Sequence, residues 1–598
     1  MYQETKNIHL LWSFARNNKL YFILSVILVL FSSLILGAAM SLVLPVSNQI
    51  ISPDATSTMT GNGYFARAMS FFDSTLSGFE HKQLVSMVIL FSVMAFHSAL
   101  QITVAFVNSG LTARITTECR ERIYSVIQKM SMSRFYQYPH GIFIQLLIVE
   151  TKSVYRIFKN VLNFITVIIN ISVIIVLMLM LSPYLSLVLG FTIACSIWAS
   201  LIITKGIKKL GAKALKSRSK LTTQVSESIL GMKQLRLIRA EPLASERISH
   251  ASRKAENLNR ALALRNATLP FITQNLVIFG IVGVIITWLN YPVFPEGVPR
   301  VSGLVTFLIF GGRLTPYIAS LSKEYGAIYS SMPAINRIYA VLNSASDWEK
   351  EGTLEPEPFF KESIRFENVN FGYKVDTSIL NSITFTIKKG SYIGIIGRSG
   401  VGKTSLFSLL VRIYDPQEGR ILVDDLDIRE LRLSHLRSNI GMVSQDNFLF
   451  NTSIRANMIL AKPEASEADM RSALTKAGLM TFIESQDKGL DAPVGENGRN
   501  LSGGQRQRLS LAVLFLQDPQ IIIIDEGTSS VDGETERYIL QSLGNLHRDG
   551  RTIICCSHRE SAMIHTEVVY EIKDGLLSHR RRANDASHDT QITGCGLS

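Results

Sequence analysis

The sequence reads Gly397-Arg398-Ser399-Gly400-Val401-Gly402-Lys403-Thr404-Ser405 between two short apolar runs, one ending at Ile396 and one beginning at Leu406. The spacing fits G-x-x-x-x-G-K-[ST], in which the backbone N–H groups of a glycine-rich loop surround a phosphate. The first run predicts a buried strand and the second a helix, whose N-terminus attracts anions. We predict that Lys403 contacts the β- and γ-phosphates and that the Thr404 hydroxyl binds Mg²⁺. This context favours a nucleotide site over a chance glycine-rich turn.

A continuous apolar run, Ile521 to Ile524, ends in two carboxylates, Asp525 and Glu526. Such a β-branched run is typical of a central strand in a parallel sheet. We predict that Asp525, at the end of this strand, binds Mg²⁺ directly or through water. Glu526 is predicted to polarise the water that attacks the γ-phosphate. The alternative, a strand that ends in surface acids, is disfavoured by the phosphate loop upstream.

A second helix N-terminus with small residues lies at Leu501-Ser502-Gly503-Gly504-Gln505. Such an N-terminus is a second anion site. Because the loop Gly397 to Thr404 already holds the phosphates within this domain, we expect the second site to reach a nucleotide that another copy of the chain holds.

The amino-terminal half is predicted to lie in a membrane. The chain has 598 residues, of which 47% are hydrophobic and 18% charged, a balance that indicates a membrane part joined to a soluble part. Six apolar runs reach the roughly 20 residues that cross a bilayer. The predicted spans are 20–44, 84–107, 162–181, 184–203, 271–289 and 301–321. The five cysteines show neither metal-ligand spacing nor a disulfide framework, and we expect Cys555 and Cys556 to lie in a core strand.

Basic residues cluster between the second and third spans and between the fourth and fifth, whereas the opposite loops carry few. This bias predicts that both termini, the two long loops and the carboxy-terminal half are cytoplasmic, at a bacterial inner membrane. It also explains the net charge of +13 without a nucleic-acid partner. The long loops keep apolar residues at helical spacing, so we expect them to continue the membrane helices into the cytoplasm.

Several polar residues lie inside the spans, where they are costly. Arg313 lies about 12 residues into the sixth span, on the order of 18 Å along a helix and near mid-membrane. The residues predicted to face a shared cavity with it are His97, Gln101, Asn163, Asn170, Gln274 and Asn275. One interpretation of Arg313 is a contact for an anionic substrate group. The other is an arginine paired within the bundle, or one whose span boundary is misplaced.

The domain boundaries follow from changes of pattern. We expect a membrane domain over 1–343, a polar linker over 344–358, an α/β ATPase domain over 359–577 and a disordered tail over 578–598.

Together these features resemble a half-size ABC exporter of type IV, and the resemblance covers nearly the whole chain up to the tail. The motifs occur in the family's order. They are Tyr373 as the adenine-stacking aromatic, Gly397 to Thr404 as Walker A, Gln445 as the Q-loop, Leu501 to Gln505 as the signature, Ile521 to Glu526 as Walker B, Asp532 in the D-loop and His558 as the switch histidine. Ser530-Val531 stands where the family more often has Ala-Leu.

The resemblance implies six membrane helices with long cytoplasmic extensions, followed by an α/β P-loop ATPase domain. It implies ATP and Mg²⁺ as cofactors, with Glu526 and His558 catalytic and Gln445 close to the metal together with Thr404 and Asp525. The implied ATP contacts are Tyr373, Gly397, Ser399, Gly400, Gly402, Lys403, Thr404, Ser405, Gln445, Ser502, Gly503, Gly504 and Gln505.

The resemblance further implies a dimer that encloses two ATP molecules and reorients its membrane cavity when it closes. Both halves of each composite site are intact, so a homodimer is the simpler prediction and a heterodimer with a degenerate partner the alternative. The predicted activity is ATP-driven export or flipping of a small amphipathic substrate among membrane lipids. Arg313 favours a lipid or lipid-linked saccharide over a peptide or drug, and a membrane ATPase with a sensing role is the remaining alternative.

Overall fold

The computed structural model describes residues 11–51, 64–291, 294, 300–343, 348–374, 377–444, 448–525, 533–556 and 565–580. The chain divides into two compact units. The first comprises Met1–Met130 and Tyr136–Trp348, and the second comprises Ser131–Phe135 and Glu349–Ser598. The predicted tail begins too early, because residues 578–580 pair with a neighbouring strand as part of the strand Leu576–Arg580, and from residue 581 onward it lies outside the described residues.

The described part of the first unit is helical. Its elements, with one short helix that belongs to the second unit, are α1 Lys19–Ser41, α2 Val43–Ile51, α3 Tyr64–Leu76, α4 Lys82–Lys129, α5 Met132–Phe135 (second unit), α6 His140–Ile144, a π-helical turn Gln145–Glu150, α7 Thr151–Leu181, α8 Pro183–Leu230, α9 Met232–Leu237, α10 Glu241–Asn290 and α11 Arg300–Leu342.

All six predicted spans lie within these helices, the first of them crossing a break between α1 and α2 at Leu42. Among the described residues, five stretches are long and apolar enough to cross a bilayer. They are Lys19–Ile51, Lys82–Lys129, Gly141–Leu181, Glu241–Asn290 and Arg300–Leu342. The fourth predicted span corresponds to a shorter apolar stretch, Pro183–Ala199, at the start of α8.

Helices α4 and α8 each contain 48 residues. At 1.5 Å per residue each is about 72 Å long, more than twice the roughly 30 Å of a bilayer's hydrocarbon core. Both helices therefore continue far beyond the membrane, as the spacing of apolar residues in the long loops predicts. The turn from α7 into α8 is tight because Ser182 caps α8, accepting a hydrogen bond from the Leu185 N–H, and Pro183 occupies its first position.

The second unit contains two β-sheets. Strands β1 Ser363–Phe371, β2 Leu380–Lys388, β4 Glu418–Val423 and β5 Leu426–Asp427 form an antiparallel sheet of order β2-β1-β4-β5. Strands β3 Tyr392–Ile396, β6 Ile440–Val443, β7 Ile521–Asp525, β8 Thr552–Cys556, β9 Val568–Lys573 and β10 Leu576–Arg580 form a second sheet of order β10-β9-β3-β8-β7-β6. This second sheet is parallel except for β10.

The helices of the second unit connect these strands. In chain order after α5 they are α12 Lys403–Leu410, α13 Leu433–Asn439, α14 Ile454–Ile459, α15 Glu467–Lys476, α16 Met480–Glu484, α17 Gly503–Gln517 and α18 Gly533–Arg548, with two 3₁₀ turns at Gly489–Asp491 and Glu496–Gly498.

Strand β7 is buried on both faces, which explains why its sequence is a continuous apolar run. Ile521 and Ile523 belong to one hydrophobic cluster, while Ile522 and Ile524 belong to another. Successive side chains of a strand point to opposite faces, so one strand supplies both clusters.

The adjacent cysteines of β8 divide in the same way. Cys556 belongs to the first hydrophobic cluster and Cys555 to the second, which agrees with the predicted core strand. Burial raises the pKa of the Cys555 thiol to about 12.

The second half of the predicted linker packs against the ATPase unit. The N–H groups of Thr353 and Leu354 both donate to the Glu430 carbonyl, at 2.9 and 3.0 Å. A Cβ placed on Gly352 would lie 2.2 Å from the Glu430 backbone, so the close approach requires glycine. The structure therefore differs from the predicted boundary, because its second unit takes in the chain from Glu349.

Candidate nucleotide site and membrane cavity

The glycine-rich loop joins β3 to α12, as its sequence predicts. Gly402 has φ of 112°, and a Cβ there would lie 2.8 Å from Leu380 and 2.9 Å from Ile379. At Gly397 a Cβ would approach the Ile572 carbonyl oxygen to 2.6 Å. Backbone conformation and close neighbours thus both require glycine at these two positions. The loop's N–H groups therefore lie at the end of the parallel sheet.

The Lys403 ammonium is held inside the loop. It donates to the Gly397 carbonyl at 2.6 Å and to the Arg398 carbonyl at 3.1 Å, and the side chain is buried. A buried cation at the N-terminus of α12 gives the loop a positive charge where an anion would bind.

The Thr404 hydroxyl lies beside the carboxylate that ends β7. Its Oγ1 donates to Asp525 Oδ2 at 2.6 Å. Strands β3, β8 and β7 run parallel and adjacent, so their carboxyl ends meet at one edge of the sheet. A hydroxyl and a buried carboxylate are the hard oxygen donors that Mg²⁺ prefers, so this pair fits the predicted metal.

Two other aromatic rings pack against Tyr373 in T-shaped arrangements. Its ring centroid lies 5.2 Å from that of Phe371 and 5.4 Å from that of Tyr414. Its hydroxyl lies 3.0 Å from Ser405 Oγ, immediately after the phosphate loop. The side chain nevertheless remains 51% exposed. A ring that neighbouring rings hold in place and that is still exposed is suited to stack on a flat base.

Ser502 caps α17 through a reciprocal pair of hydrogen bonds. Its Oγ accepts from the Gln505 N–H at 3.2 Å, and its own N–H donates to Gln505 Oε1 at 2.8 Å. The serine oxygen therefore acts as an acceptor toward its helix, which leaves its proton to be donated outward. Gly503 and Gly504 follow as the first helical residues, whose N–H groups have no partner within a helix. Hydroxyl and N–H groups together suit a phosphate.

Four predicted site residues lie outside the described part of the chain. They are Gln445, Glu526, Asp532 and His558. Their roles remain predictions from the sequence.

The membrane unit contains a cavity of about 470 Å³. Five of the predicted polar residues line it: His97, Gln101, Asn163, Asn170 and Arg313. Asn275 does not join them, because its Nδ2 donates to the Phe271 carbonyl of its own helix at 2.7 Å. Gln274 is not among the lining residues either.

The cavity also includes polar residues that the sequence analysis did not select, namely Ser98, Thr166, Tyr317 and Ser320. Helical spacing would have found most of them. Thr166 lies between Asn163 and Asn170 on one face of α7, and Tyr317 and Ser320 follow Arg313 by four and seven residues.

Arg313 is exposed within this cavity. Its guanidinium carbon lies 6.0 Å from the centroid of the Tyr317 ring. Among the described residues no carboxylate forms an ion pair with it. The alternative in which Arg313 is paired within its own bundle therefore gains no support from the described part of the chain.

His97 is 3% exposed and is attached to helix α1. Its Nδ1 lies 3.0 Å from the Ser32 carbonyl oxygen, and Ser32 Oγ accepts from Gln101 Nε2 at 3.0 Å. The neighbouring Ser33 donates to Asn170 Oδ1 at 2.7 Å. Two serines of α1 thus orient three lining residues, on α4 and α7.

Comparison with known protein families gives two matches. The family described as ABC transporter transmembrane region matches residues 24–311, and the family described as ABC transporter matches residues 380–529.

Individual relatives span most of the chain. The heterocyst differentiation ATP-binding protein HepA of Nostoc sp. is 31% identical over 465 residues, 76% of this chain and 74% of its own length. An ATP-dependent lipid A-core flippase of Desulfotalea psychrophila is 29% identical over 505 residues, 82% of this chain and 85% of its own. A solved structure of a bacterial Atm1-family ABC exporter with ATP bound has the same fold. It matches with a TM-score of 0.80 over 96% of this chain and 97% of that one, at 23% identity.

Proposed function

We propose that this chain, which belongs to the ABC transporter family, uses ATP hydrolysis to move an anionic amphiphile out of the cytoplasm or the inner leaflet. The proposed amphiphile is a lipid or a lipid-linked saccharide. The proposal starts from the exporter fold, which has a membrane region and an ATPase domain in one polypeptide. The proposed location is a bacterial inner membrane, with both termini and the ATPase domain on the cytoplasmic side.

The observation that carries the choice of substrate is Arg313. A guanidinium stays charged at any physiological pH, and a charge at mid-membrane is costly unless it is paired or solvated. Arg313 opens onto a polar cavity and has no carboxylate partner among the described residues. An anionic substrate group would supply the missing counter-charge. The relatives include a lipid A-core flippase, which agrees with a lipid substrate.

The nucleotide site supports hydrolysis through residues of this chain. We assign Lys403 to the β- and γ-phosphates and Tyr373 to the adenine. Thr404 and Asp525 would hold Mg²⁺, which when bound neutralises charge on the phosphates. Gln445 would join them, Glu526 would orient the attacking water, and His558 would contact the γ-phosphate.

The site is completed, in this proposal, by a second copy of the chain. Ser502, Gly503 and Gly504 offer an outward hydroxyl and two N–H groups to a phosphate held by the partner's loop. ATP binding would then pull two ATPase domains together. Asp532 would lie at the interface so formed.

The tip of the long α8–α10 hairpin also favours a homodimer. Ile238 is 60% exposed there and Leu243 51%, and both line a groove of about 390 Å³. Because α8 extends well beyond the bilayer, lipid does not cover this apolar surface. A second copy is the occupant that we propose, since the exporter fold acts as a dimer of membrane and ATPase domains.

Transport by the full-length protein in liposomes tests the proposal. We expect ATP-dependent flipping of a fluorescent anionic lipid, reduced at least about tenfold by Arg313→Gln and largely kept by Arg313→Lys. Glu526→Gln serves as the control for coupling, since it should bind ATP without turnover or flipping. ATP hydrolysis with no lipid movement would favour a sensing ATPase, and unchanged flipping in Arg313→Gln would remove the case for an anionic substrate.

A further inference from the structure

We infer that His97 and Arg313 form a two-point site for a head group that carries a negative charge and, next to it, a hydroxyl or N–H that donates a hydrogen bond. The inference rests on the proposed function, since it specifies the substrate class of the same cavity. Arg313 supplies the positive charge, and His97 supplies a hydrogen-bond acceptor.

The contacts of His97 decide which ring nitrogen is the acceptor. A carbonyl oxygen only accepts hydrogen bonds, and the Ser32 carbonyl lies 3.0 Å from Nδ1. Nδ1 must therefore carry a proton. In the neutral ring the remaining nitrogen, Nε2, then has a lone pair and no proton. Ser32 Oγ, 3.3 Å from Nδ1, already accepts from Gln101 and does not change this assignment.

His97 and Arg313 both line the cavity, and their hydrogen-bonding characters are opposite and fixed. A guanidinium can only donate, whereas Nε2 of this tautomer can only accept. The amide side chains of Asn163 and Asn170 each carry both a donor and an acceptor, so neither offers a single fixed character to the cavity.

A head group with charge but no donor would leave the Nε2 lone pair unpaired beside an anion. A site that is built to hydrogen-bond a hydroxyl discriminates strongly against an analogue that lacks the hydroxyl. An apolar pocket discriminates much less well against an analogue with an extra group. The site should therefore prefer a hydroxyl-bearing phosphodiester, or a sugar phosphate, over an anionic diester with a methyl cap, and both over a zwitterionic choline lipid.

Three lipids with identical acyl chains separate these cases: phosphatidylglycerol, with charge and hydroxyls, phosphatidylmethanol, with charge alone, and phosphatidylcholine. Their affinities for the purified full-length protein are measured by competition in native mass spectrometry. We expect phosphatidylglycerol to bind about tenfold more tightly than phosphatidylmethanol, and phosphatidylmethanol more tightly than phosphatidylcholine.

Variants assign the preference to His97. His97→Leu should bring phosphatidylglycerol down to the affinity of phosphatidylmethanol and leave phosphatidylmethanol unchanged. His97→Gln should restore the preference, because a carboxamide can donate to the Ser32 carbonyl and still accept. Asn108→Leu is the matched control, since it breaks another buried contact between α1 and α4, that of Ser25 with Asn108, away from the lining residues. It should leave the preference intact.

Two outcomes overturn the inference while leaving an anionic substrate in place: equal binding of the two anionic lipids by the wild type, or a preference that survives His97→Leu. Tighter binding of phosphatidylmethanol would show that the site does not bond a head-group hydroxyl, which also overturns it. If neither anionic lipid binds better than phosphatidylcholine, the proposed substrate class fails together with the inference.

Discussion

Thr404 Oγ1 and Asp525 Oδ2, 121 residues apart in sequence, are joined by a 2.6 Å hydrogen bond. The bond connects the N-terminus of α12 to the end of β7 and brings two hard oxygen ligands together at one edge of the sheet. The buried Asp525 carboxylate needs a polar partner, and the hydroxyl provides it. A metal ion that binds here would meet ligands already held in position.

We predict that Thr404→Ala lowers ATP turnover about a hundredfold or more, whereas Thr404→Ser, which keeps the hydroxyl, stays within about threefold of wild type. The alanine variant should also need more Mg²⁺ for half-maximal activity. A Mg²⁺ titration of the ATPase activity of the full-length protein measures both effects. Identical behaviour of the two variants would exclude a role for the hydroxyl.

Replacing Lys403 by methionine should weaken ATP binding by about tenfold or more, because the phosphates lose their charge-assisted contact. The loop itself should persist, since its glycines set its conformation. Lys389→Met is the matched control: Lys389 also donates to a backbone carbonyl, that of Phe360, at 2.9 Å. Nucleotide titration of both variants measures the difference, and equal losses would indicate a general effect of removing a lysine.

The contacts of Asp424 predict that the local stability of the fold around it depends on pH. Burial opposes its ionisation, but the N–H groups of Glu362, Ser363 and Lys361 hold the pKa of the carboxyl below its usual value. A depressed folded-state pKa stabilises the fold above the unfolded value of about 3.9, and this stabilisation is lost as pH falls through the lower folded value.

Hydrogen exchange at these three amides tests the effect of Asp424. Near neutral pH the three amides should exchange about tenfold more slowly in the wild type than in Asp424→Asn. This difference in exchange rate should shrink as pH falls below about 4. Asparagine is a suitable comparison because it tolerates the φ of 54° at this position and keeps an acceptor without the charge. A constant ratio at all pH values would contradict the assignment.

The Cys555 thiol should resist alkylation. Burial raises its pKa to about 12, and the thiolate is the reactive form, so at pH 8 almost no thiolate is present to attack iodoacetamide. We expect Cys555 and Cys556 to be modified only after denaturation, as measured by peptide mass spectrometry with the denatured chain as the positive control. Rapid labelling of the native protein would show that β8 opens to solvent.

The ion pair between Glu150 and Arg337 should respond unequally to loss of either partner. Arg337 Nη1 donates to Glu150 Oε1 at 2.9 Å, and the side chains are 34% and 1% exposed respectively. Arg337→Gln leaves a buried carboxylate without its counter-charge, which costs about 3 kcal/mol. Glu150→Gln leaves an arginine that water reaches, and should cost less.

The double variant Glu150→Gln/Arg337→Gln should recover part of the loss caused by Arg337→Gln, because two neutral amides can bond each other. Thermal unfolding midpoints of the full-length protein in detergent compare the three variants. Equal losses in both single variants, or additivity in the double variant, would show that burial of Glu150 does not control the effect.

Much of the architecture could be predicted from local pattern. The phosphate loop is specified by glycines at fixed spacing, and each predicted span is an apolar run with a length that the bilayer dictates. β7 could be identified as a central strand because a strand that is covered on both faces shows no alternation of apolar and polar residues. The structure places its isoleucines in two hydrophobic clusters. Such signals lie within a few neighbouring residues and do not depend on distant contacts.

Relations between distant residues required the folded chain. Six polar residues in the spans were predicted to share a cavity with Arg313. Helix rotation brings four of them to it, whereas Asn275 bonds to its own helix. The tautomer of His97 follows from a carbonyl 65 residues away, and the Glu150–Arg337 pair spans 187 residues. Residue types and periodicity thus established which chemistry the chain carries. Packing alone decided which groups meet, because hydrogen bonds and ion pairs form over about 3 Å and helical periodicity leaves the rotation of each helix open.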